Sequence, residues 1–551
     1  MKGDAFHLDQ LAEGLARSQA YADLEGAGDE VKWIQTHLSH VFLTGDRVAK
    51  LRKAVDLGFV DFSERAARNR DCLRELEVNR RLSPDVYLGI APVLEGPEGV
   101  RLGALGAGVL DADAEHVVVM RRLRAERDAL SFLGRGELTP AHLDAVARRI
   151  ARFHESHGLG TPAPWPAAAW QERVAAPMQD NLVILKERLG ESATKRLREA
   201  TEAALVSCAP ALERRRREGR AVDGHGDLHL EHVWFERGPS DPRVIDGLEF
   251  SDELRCIDAA SEVAFLAMDL HYRGQPGLAE GFLARYAERA DDFGLYDVVD
   301  LFMAYRAAVR GKVAAIVAGD AGLPDARRRD AGESAKRHVA LAEGLLGPPP
   351  KAPLLVLCGT VGSGKSSVAR ELAEMLGGVV VTTDRVRKAS KGFSRRAPRG
   401  GTGPDQGLYT PARRRAVYRA LFERAASPLR AGRPTLLDAT FATQRQRLAA
   451  RALAARWEAP VYLVEARAGH NVALQRLARR RRGGKGPSDA GPELLSHSMR
   501  AFQAPSEWPW AQHLVVCTDR PNWRRELIAH AQGVLRFWMD RNQGDRNVET
   551  Q

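Results

Sequence analysis

Short apolar runs alternate with amphipathic stretches in the C-terminal third of the chain. Leu354–Leu357 (LLVL) is a continuous apolar run of the kind found in buried strands, and helical spacing follows it at Ser366–Leu376 and again at Pro411–Ala426. Four more short apolar runs continue the alternation: Gly378–Thr382, Thr435–Leu437, Val461–Val464 and Leu514–Val516. Strands that alternate with helices predict a parallel sheet with helices on both faces.

The N-terminal part of the chain has a different pattern. Alternating apolar and polar residues predict two short strands, Trp33–Leu43 and Val48–Leu51, joined by a turn at Gly45. Helical spacing predominates in three later stretches: Phe62–Leu82, 140–220 and 255–345. A small lobe with strands is therefore expected ahead of a helical lobe, and the whole chain is predicted to be a multidomain protein of α+β and α/β parts.

A proline-rich segment separates the two patterns. Gly347–Pro353 (GPPPKAP) cannot continue a helix and favours an extended linker. We therefore predict one domain at residues 1–346, a linker at 347–353, a second domain at 354–540 and a polar tail at 541–551.

Composition narrows the class of protein only slightly. The 551 residues are 44% hydrophobic and contain no run of about 18 apolar residues, so no membrane span is expected. The polar start (MKGDAFHLDQ) and five scattered cysteines, which lack metal-ligand spacing, are typical of a cytoplasmic protein. The formal net charge of +10 is compatible with nucleic acids, nucleotides or other phosphorylated partners, and equally with a bias toward arginine.

The turn after the run LLVL carries the pattern G-x-x-x-x-G-K-[ST], which reads GTVGSGKS. Glycines let such a loop aim its main-chain N–H groups at phosphate oxygens at a helix N-terminus. Lys365 would reach the β- and γ-phosphates of ATP, and the Ser366 hydroxyl would bind Mg²⁺. The predicted nucleotide-binding residues are Gly359, Thr360, Val361, Gly362, Ser363, Gly364, Lys365, Ser366 and Ser367.

Two aspartates and three arginines lie where a phosphoryl-transfer site would need them. Asp438 ends the run TLL, where P-loop proteins hold magnesium, and Asp384 ends the run VVVTT, where it could accept a hydroxyl proton. Either aspartate could instead cap a helix. Arg387 could clamp an anionic acceptor. Arg476 and Arg480 share a helical face that is either a lid over the transferred phosphate or a solvated surface.

The segments GTVGSGKS, DRVRK, LLDATF, RLARR and PSDA resemble the small P-loop kinases that include polynucleotide-kinase-like and zeta-toxin-like proteins. The resemblance covers roughly residues 353–535. It implies that Asp384 is the acceptor-activating base, that Arg387 contacts the acceptor, and that Arg476 and Arg480 are lid residues. Because these kinases differ in their acceptors, the acceptor does not follow from the resemblance.

A second constellation suits phosphoryl transfer in the N-terminal part. In HGDLHLEH, Asp227 could take a hydroxyl proton and His225 could orient the loop, while Asp246 in VIDGLEF could hold Mg²⁺. A loop with a satisfied histidine is the alternative. HGDLH, IDGLEF and DAASEVAFLAMDL are similar to the aminoglycoside-phosphotransferase branch of the protein-kinase-like fold. HLSHVFLTGDRVAKLRKAVDLGFVDF and ELEVNRRLSPDVYLGIAPV resemble bacterial two-part proteins that join such a domain to a P-loop kinase.

This second resemblance implies a two-lobed protein-kinase-like domain at residues 1–346 and names further site residues. The nucleotide lysine is Lys50, with Lys53 as the alternative, and the carboxylate that orients it is Glu75, with Glu77 second. The family's loop runs H-G-D-x-x-x-x-N with a metal-binding asparagine, but His232 stands at that position. An imidazole suits softer metal ions better than it suits Mg²⁺. No G-x-G-x-x-G loop is present in the small lobe.

Three functions remain open from the sequence. The leading one is an ATP- and Mg²⁺-dependent kinase that phosphorylates a hydroxyl of a small molecule, with a kinase-like N-terminal module that acts on or only recognises its ligand. A 5′-hydroxyl polynucleotide kinase is the first alternative; the basic segments 385–399 and 476–485 favour it, and the lack of an aromatic-studded basic strand disfavours it. The second alternative is a non-catalytic ATP-dependent switch or binding protein.

Overall fold

The computed structural model describes residues 2–106 except Leu57 and Phe59, and residues 110–389, 411–483 and 495–543. The chain forms two compact units, one of Met1–Pro164 with Arg216–Leu266 and one of Trp165–Arg215 with Ala267–Gln551. Within the described ranges, no helix is both long and apolar enough to cross a membrane. The two units are defined by packing, and each combines separate stretches of the chain. They therefore do not test the boundaries predicted from the sequence at residues 346, 353 and 540.

The first unit contains an antiparallel sheet of six strands. The strands are β1 (Val31–Gln35), β2 (Ser39–Thr44), β3 (Arg47–Arg52), β4 (Tyr87–Gly96), β5 (Gly99–Leu102) and β6 (Glu115–Arg121). Their order is β1-β2-β3-β6-β4-β5, and every pairing is antiparallel. The helices up to residue 164 are α1 (Lys2–Leu15), α2 (Arg65–Arg80), α3 (Ala129–Gly134) and α4 (Pro140–Ser156).

The prediction of a single strand at Trp33–Leu43 is wrong, because a turn divides it into β1 and β2. The Thr36 hydroxyl accepts a hydrogen bond from the Ser39 amide at 3.0 Å, which favours a local turn over a continuous ladder. The predicted helix at Phe62–Leu82 is confirmed as α2. Its buried face packs Cys72 and Leu76 against Val118 of β6. This packing fixes α2 across the sheet that carries β3.

Helices predominate from residue 167 to residue 345, as predicted. In chain order the elements are α5 (Ala167–Leu189), α6 (Glu191–Arg217), β7 (Ala221–Asp223), β8 (Val233–Trp234), β9 (Arg243–Val244), α7 (Asp252–Arg255), β10 (Cys256–Asp258), α8 (Ala259–Tyr272), α9 (Pro276–Ala290), α10 (Val299–Ala318) and α11 (Asp325–Leu345). Strand β7 pairs with β10, and β8 pairs with β9. The HGD and IDG motifs lie in the segment between β7 and β10, which contains the pair β8–β9.

The C-terminal part of the second unit contains the predicted parallel sheet. Its elements are β11 (Leu354–Cys358), α12 (Lys365–Leu376), β12 (Val379–Thr382), α13 (Thr383–Ala389), α14 (Pro411–Arg430), β13 (Thr435–Asp438), α15 (Gln444–Arg456), β14 (Val461–Arg467), α16 (His470–Gly483), α17 (Leu495–Ala501), β15 (His513–Cys517) and α18 (Trp523–Gln543). The strand order is β12-β13-β11-β14-β15, with all pairs parallel. Among the described residues, short 3₁₀ helices lie at Ser18–Tyr21, Ala125–Arg127, Leu230–His232, Phe293–Asp297 and Trp510–Gln512.

The core of the parallel sheet explains why β11 is continuously apolar. All five residues of β11 are buried, because the strand has neighbours on both sides and helices on its faces. On one face Leu355 and Leu357 pack with Val368 of α12 and Leu527 of α18. The carboxyl ends of β11, β12 and β13 therefore meet at one edge, where ligands bind in folds of this kind.

Candidate active sites

The loop between β11 and α12 has a backbone that only glycine can adopt at three positions. The φ angles are +137° at Gly359, +79° at Gly362 and +90° at Gly364. A Cβ on Gly359 would lie 2.3 Å from the carbonyl oxygen of Ala466, and a Cβ on Gly364 would lie 2.8 Å from the Thr518 hydroxyl oxygen. The loop that carries the GTVGSGKS pattern is therefore a tight turn, and it packs against β14 and against the residue that follows β15.

Lys365 is the first residue of α12, and its side chain turns back over the loop. Its Nζ donates to the carbonyl oxygens of Gly359 at 3.0 Å and Thr360 at 2.8 Å. Ser366 follows it with an exposed side chain in the first helical turn. An ammonium group and a helix N-terminus thus lie together at the sheet edge, and both favour an anion.

Arg476 of α16 braces this loop from outside through Thr518. Arg476 donates to the Thr518 hydroxyl and to its carbonyl oxygen at 2.8 Å each, and to the Gly362 carbonyl oxygen at 3.4 Å. The Thr518 hydroxyl in turn donates to the Ser363 carbonyl oxygen at 2.7 Å. The predicted lid role of Arg476 stays a prediction. Arg480 lies in α16, but its side chain is outside the described part of the chain.

Replacing Thr518 with valine is expected to weaken nucleotide binding about tenfold. The substitution keeps the side-chain shape but removes the hydroxyl that joins Arg476 to the loop, and one such hydrogen bond is worth about 1 to 2 kcal/mol. Calorimetric titration with a non-hydrolysable ATP analogue measures the effect. Thr518→Ser keeps the hydroxyl and is expected to bind as the wild type does. An unchanged Kd in the valine variant would contradict this bracing role.

The two predicted aspartates of this domain lie at the same edge of the sheet. Asp438 ends β13, where it is buried and stands in register with Leu357 of β11 on one side and Thr382 of β12 on the other. Asp384 follows β12 in the first turn of α13, and Arg387 donates to its Oδ1 at 2.6 Å. The structure thus brings Asp384, Arg387 and Asp438 to the edge at which the P-loop begins.

A buried arginine that sequence reasoning missed organises the segment after Asp438. Arg447 of α15 donates to the Phe441 carbonyl oxygen at 3.0 Å and is fully buried. Phe441 has a φ of +41°, and its amide donates to the Tyr418 hydroxyl at 3.0 Å. The carbonyl oxygen of Thr440 accepts from the amide of Gly359 at 3.1 Å. The segment after the metal-ligand candidate is therefore bonded directly to the start of the P-loop.

The first unit contains a second cluster of predicted residues. Lys50 on β3 donates to Glu75 of α2 at 3.0 Å and lies 3.3 Å from Asp246. The charge of Lys50 is the main reason that the pKa of Asp246 lies below its usual value. Of the alternatives, Lys53 donates to the Thr36 carbonyl oxygen at 2.8 Å, and Glu77 pairs with Arg74 at 3.6 Å. The lysine and the carboxylate that meet are therefore Lys50 and Glu75.

The HGD loop is held by hydrogen bonds on both sides of His225. Its Nε2 donates to the Ile245 carbonyl oxygen at 2.8 Å, and its Nδ1 accepts from the Asp227 amide at 3.3 Å. Burial lowers the pKa of His225 to about 4, which agrees with a neutral ring in this arrangement. Glu262 of α8, which sequence reasoning missed, accepts from the Gly226 amide at 3.0 Å. His225 and Glu262 thus fix the backbone that presents Asp227.

His232 lies between the two predicted catalytic carboxylates of this unit. Its Nδ1 is 2.9 Å from the Asp227 carbonyl oxygen, and its Nε2 is 3.5 Å from the Asp246 carboxylate. His229, which was not predicted as a site residue, places Nε2 3.4 Å from the Asp227 carboxylate. Burial by itself would raise the pKa of Asp227, but the hydrogen bond from His229 and the charges of both histidines outweigh it and lower that pKa.

Arg52 forms the centre of a buried ionic cluster beside Lys50. It donates to Asp71 at 2.5 Å and to Glu75 at 2.7 Å, and it also pairs with Glu249. The side chains of the arginine and its three partners are each 7% exposed or less. Sequence analysis missed Arg52 because RVAKLRK offers several basic residues and only the strand register decides which of them is buried.

The contribution of Glu249 to the stability of the first unit is expected to fall as the pH rises from about 4.5 to 8. Burial raises the pKa of Glu249 to about 8, and the negative charge of Glu75 adds to the rise while the positive charge of Arg52 opposes it. Between the ordinary pKa of a glutamate and pH 8, Glu249 therefore keeps its proton in the folded state but has released it in the unfolded state. Rising pH in this range favours unfolding. Glu249→Gln cannot titrate and should flatten the dependence. Urea midpoints at pH 5 and pH 8 test this, and equal slopes in the two proteins would contradict it.

Three kinds of known protein are similar to this chain. The family model described as an AAA domain matches residues 354–505. The uncharacterized proteins Rv2004c of Mycobacterium tuberculosis and Mb2027c of Mycobacterium bovis are each 34% identical to it over 478 residues, which are 85% of this chain and 89% of theirs.

Two solved structures are also similar to portions of the chain. A choline/ethanolamine kinase family protein from Mesorhizobium loti is 16% identical, with a TM-score of 0.33, and the match covers 60% of this chain and 98% of that one. A gluconokinase from Sinorhizobium meliloti is 21% identical, with a TM-score of 0.24, and the match covers 34% of this chain and 94% of that one. By its identity to the mycobacterial proteins, the chain belongs to the family of Rv2004c, and its C-terminal region contains the P-loop domain that the AAA family model matches.

Proposed function

We propose that the protein is an ATP-dependent phosphotransferase whose P-loop site transfers the γ-phosphate to a hydroxyl group of a small molecule. The observation that carries the proposal is the placement of Lys365, Asp384 and Asp438 at one edge of the parallel sheet, around a loop shaped by three left-handed glycines. A loop of this shape at a helix N-terminus suits a triphosphate, and a half-buried carboxylate beside it suits a base.

In this proposal the residues of the chain hold and align the reactants. Lys365 and the loop amides bind the phosphate oxygens and stabilise the charge that develops on them. The acceptor oxygen forms a bond to the γ-phosphorus as the bond between that phosphorus and the β,γ-bridging oxygen breaks, so ADP leaves. The acceptor proton passes to the Asp384 carboxylate. Arg387, which already holds that carboxylate at 2.6 Å, would fix its direction.

The donor set at the P-loop fits magnesium. The Ser366 hydroxyl in the first turn of α12 and the buried Asp438 carboxylate are hard oxygen ligands, which Mg²⁺ prefers. When bound there, the ion would neutralise part of the negative charge on the phosphates. Lys365, Ser366 and Asp438 together would therefore form the nucleotide end of the site, and Asp384 the acceptor end.

The first unit supports a second nucleotide-handling site in the same proposal. The Lys50–Glu75 ion pair lies beside Asp246, and Asp227 is presented on a loop fixed by His225. In the protein-kinase-like fold these are the groups that bind the phosphates, the metal and the acceptor hydroxyl. Whether this site turns over is a separate question from transfer at the P-loop.

A labelled-ATP screen against separate pools of small metabolites and of oligonucleotides tests the proposal. It uses the wild type, Lys365→Ala and Asp227→Ala, so each variant disables one site and serves as the control for the other. Transfer to a small molecule that is lost only in Lys365→Ala is the expected result. Transfer only to oligonucleotides would favour the 5′-hydroxyl polynucleotide kinase, and hydrolysis that no acceptor accelerates would favour the switch. Loss only in Asp227→Ala would assign the chemistry to the first unit.

A further inference from the structure

We propose that the kinase-like site of the first unit selects a nitrogen-preferring divalent ion, such as Zn²⁺ or Co²⁺, through His229, His232 and the carboxylate of Asp227, with Asp246 beside them. One ligand atom from each of Asp227, His229 and His232 lies within 4.8 Å of the others. This is the site at which the kinase-like fold places an asparagine and binds Mg²⁺. The inference concerns the first unit alone and does not depend on transfer at the P-loop.

Two imidazoles and two carboxylates form one cluster in the first unit. His229 Nε2 lies 3.4 Å from the Asp227 carboxylate, and the ligand nitrogen of His232, Nε2, lies 3.5 Å from the Asp246 carboxylate. The two imidazole rings are 3.9 Å apart between centroids. Ligand atoms that share one ion at bond lengths near 2.1 Å are separated by roughly 3 to 4 Å, so neighbouring atoms of this set already have the spacing of a coordination sphere.

The hydrogen bonding of His232 leaves a lone pair on the correct nitrogen. When Nδ1 carries the proton and donates to the Asp227 carbonyl oxygen at 2.9 Å, Nε2 is unprotonated and faces Asp246. A metal-binding histidine usually has its other ring nitrogen held in this way by a carbonyl or carboxylate. The Asp227 main chain thus orients the ring, and no other residue is needed to do so.

The donor atoms distinguish this site from the P-loop. Ser366 and Asp438 offer only oxygen, which suits Mg²⁺. The first unit offers imidazole nitrogen together with carboxylate, and imidazole suits Zn²⁺ and other transition ions, whereas Mg²⁺ is bound mainly by oxygen. The side chains of His229 and His232 are 6% and 16% exposed. Asp227 and Asp246 are 30% and 50% exposed, so an ion bound there would have buried nitrogen ligands and carboxylate ligands on the side open to water. One chain would then carry two sites with different metal preferences.

The test is calorimetric titration of the full chain with ZnCl₂ and separately with MgCl₂, without nucleotide, for the wild type, His232→Asn and His530→Asn. His232→Asn restores the oxygen donor of the kinase-like family, and His530 is an exposed histidine on α18 that controls for loss of any imidazole. We expect the wild type to bind one Zn²⁺ ion at this site, and Mg²⁺ at millimolar concentration should not displace that ion. His232→Asn should weaken that site by at least about tenfold, while His530→Asn should not change it.

A second measurement keeps the proposal falsifiable if His232→Asn folds poorly. The visible spectrum of the Co²⁺-loaded wild type should show bands that disappear when one equivalent of Zn²⁺ is added and persist in excess Mg²⁺. The proposal is overturned by Zn²⁺ binding that is equal in wild type and His232→Asn, by Mg²⁺ that displaces Zn²⁺ at equal concentration, or by no binding at all. The last result would mean that protonated His232 itself bridges Asp227 and Asp246.

Discussion

Replacing Lys365 with alanine is expected to lower phosphoryl transfer at the P-loop by about a thousandfold. The ammonium group lies over the loop within hydrogen-bonding distance of two of its carbonyl oxygens, where it would bind the β- and γ-phosphates. Removing one preorganised charge from such a site typically costs a factor of about 10² to 10³ in rate, and weaker ATP binding adds to that loss. The value of kcat/KM for the acceptor found in the screen, with labelled ATP, measures it.

The fold is not expected to depend on Lys365. Its side chain donates to two main-chain oxygens of the loop at the edge of the sheet, and the melting temperature of Lys365→Ala should stay within a few degrees of the wild-type value. Asp384→Asn serves as a companion variant, because it should lower the rate while leaving the affinity for ATP near the wild-type value. A Lys365→Ala protein that transfers phosphate at the wild-type rate would place the chemistry elsewhere.

The parallel sheet was predictable because its signals are local. Leu354–Cys358 is buried on both faces, so its apolar run is continuous, and the glycines that follow it report directly on a turn with positive φ. The aspartates at the ends of β12 and β13 could be placed at one edge because carboxyl ends of parallel strands share an edge. In the first unit, the alternation of side chains along a strand predicts that Lys50 of β3 and Lys53, which follows β3, point to different faces.

The remaining site residues depend on contacts between distant parts of the chain. Thr518, Arg447 and Glu262 act through hydrogen bonds to residues 155, 56 and 36 positions away, and Thr518 and Arg447 lie outside the motifs. Abundant arginine makes the problem harder, because the chain has 82 basic residues and sequence does not reveal which are buried. Sequence analysis therefore found the groups that would touch phosphate and missed those that hold them in place.

The same limitation applies to how the second unit is assembled. Arg433, next to β13, pairs with Glu280 of α9 and Asp300 of α10, each at least 133 positions earlier. Arg385, the neighbour of Asp384, pairs with Glu288 at 2.7 Å. Helices α9 and α10 follow the kinase-like motifs in sequence but pack with the P-loop part, so the proline-rich segment does not separate two independent sets of contacts.

Replacing Arg52 with methionine is expected to lower the free energy of unfolding of the first unit by about 3 to 5 kcal/mol. Methionine fills much of the same space, but it leaves the buried carboxylates of Asp71, Glu75 and Glu249 without their shared cation. Breaking a buried ion pair from one side is costly because the remaining charge is neither hydrated nor paired. Hydrogen exchange of the peptide that contains β3, measured by mass spectrometry on the full chain, reports this loss.

Arg101→Met is the matched control, since it makes the same change at an exposed position on β5 of the same sheet, where an effect within about 0.5 kcal/mol is expected. Equal protection of β3 in the two variants would contradict the role given to Arg52. Adding Glu249→Gln to Arg52→Met should restore part of the lost stability, because glutamine fills the same volume without the cost of either burying a charge or taking up a proton on folding. Arg52 and Glu249 are in contact, so the effects of the two substitutions on the free energy of unfolding should not be additive. The size of the recovery measures how much of the destabilisation comes from leaving Glu249 without Arg52.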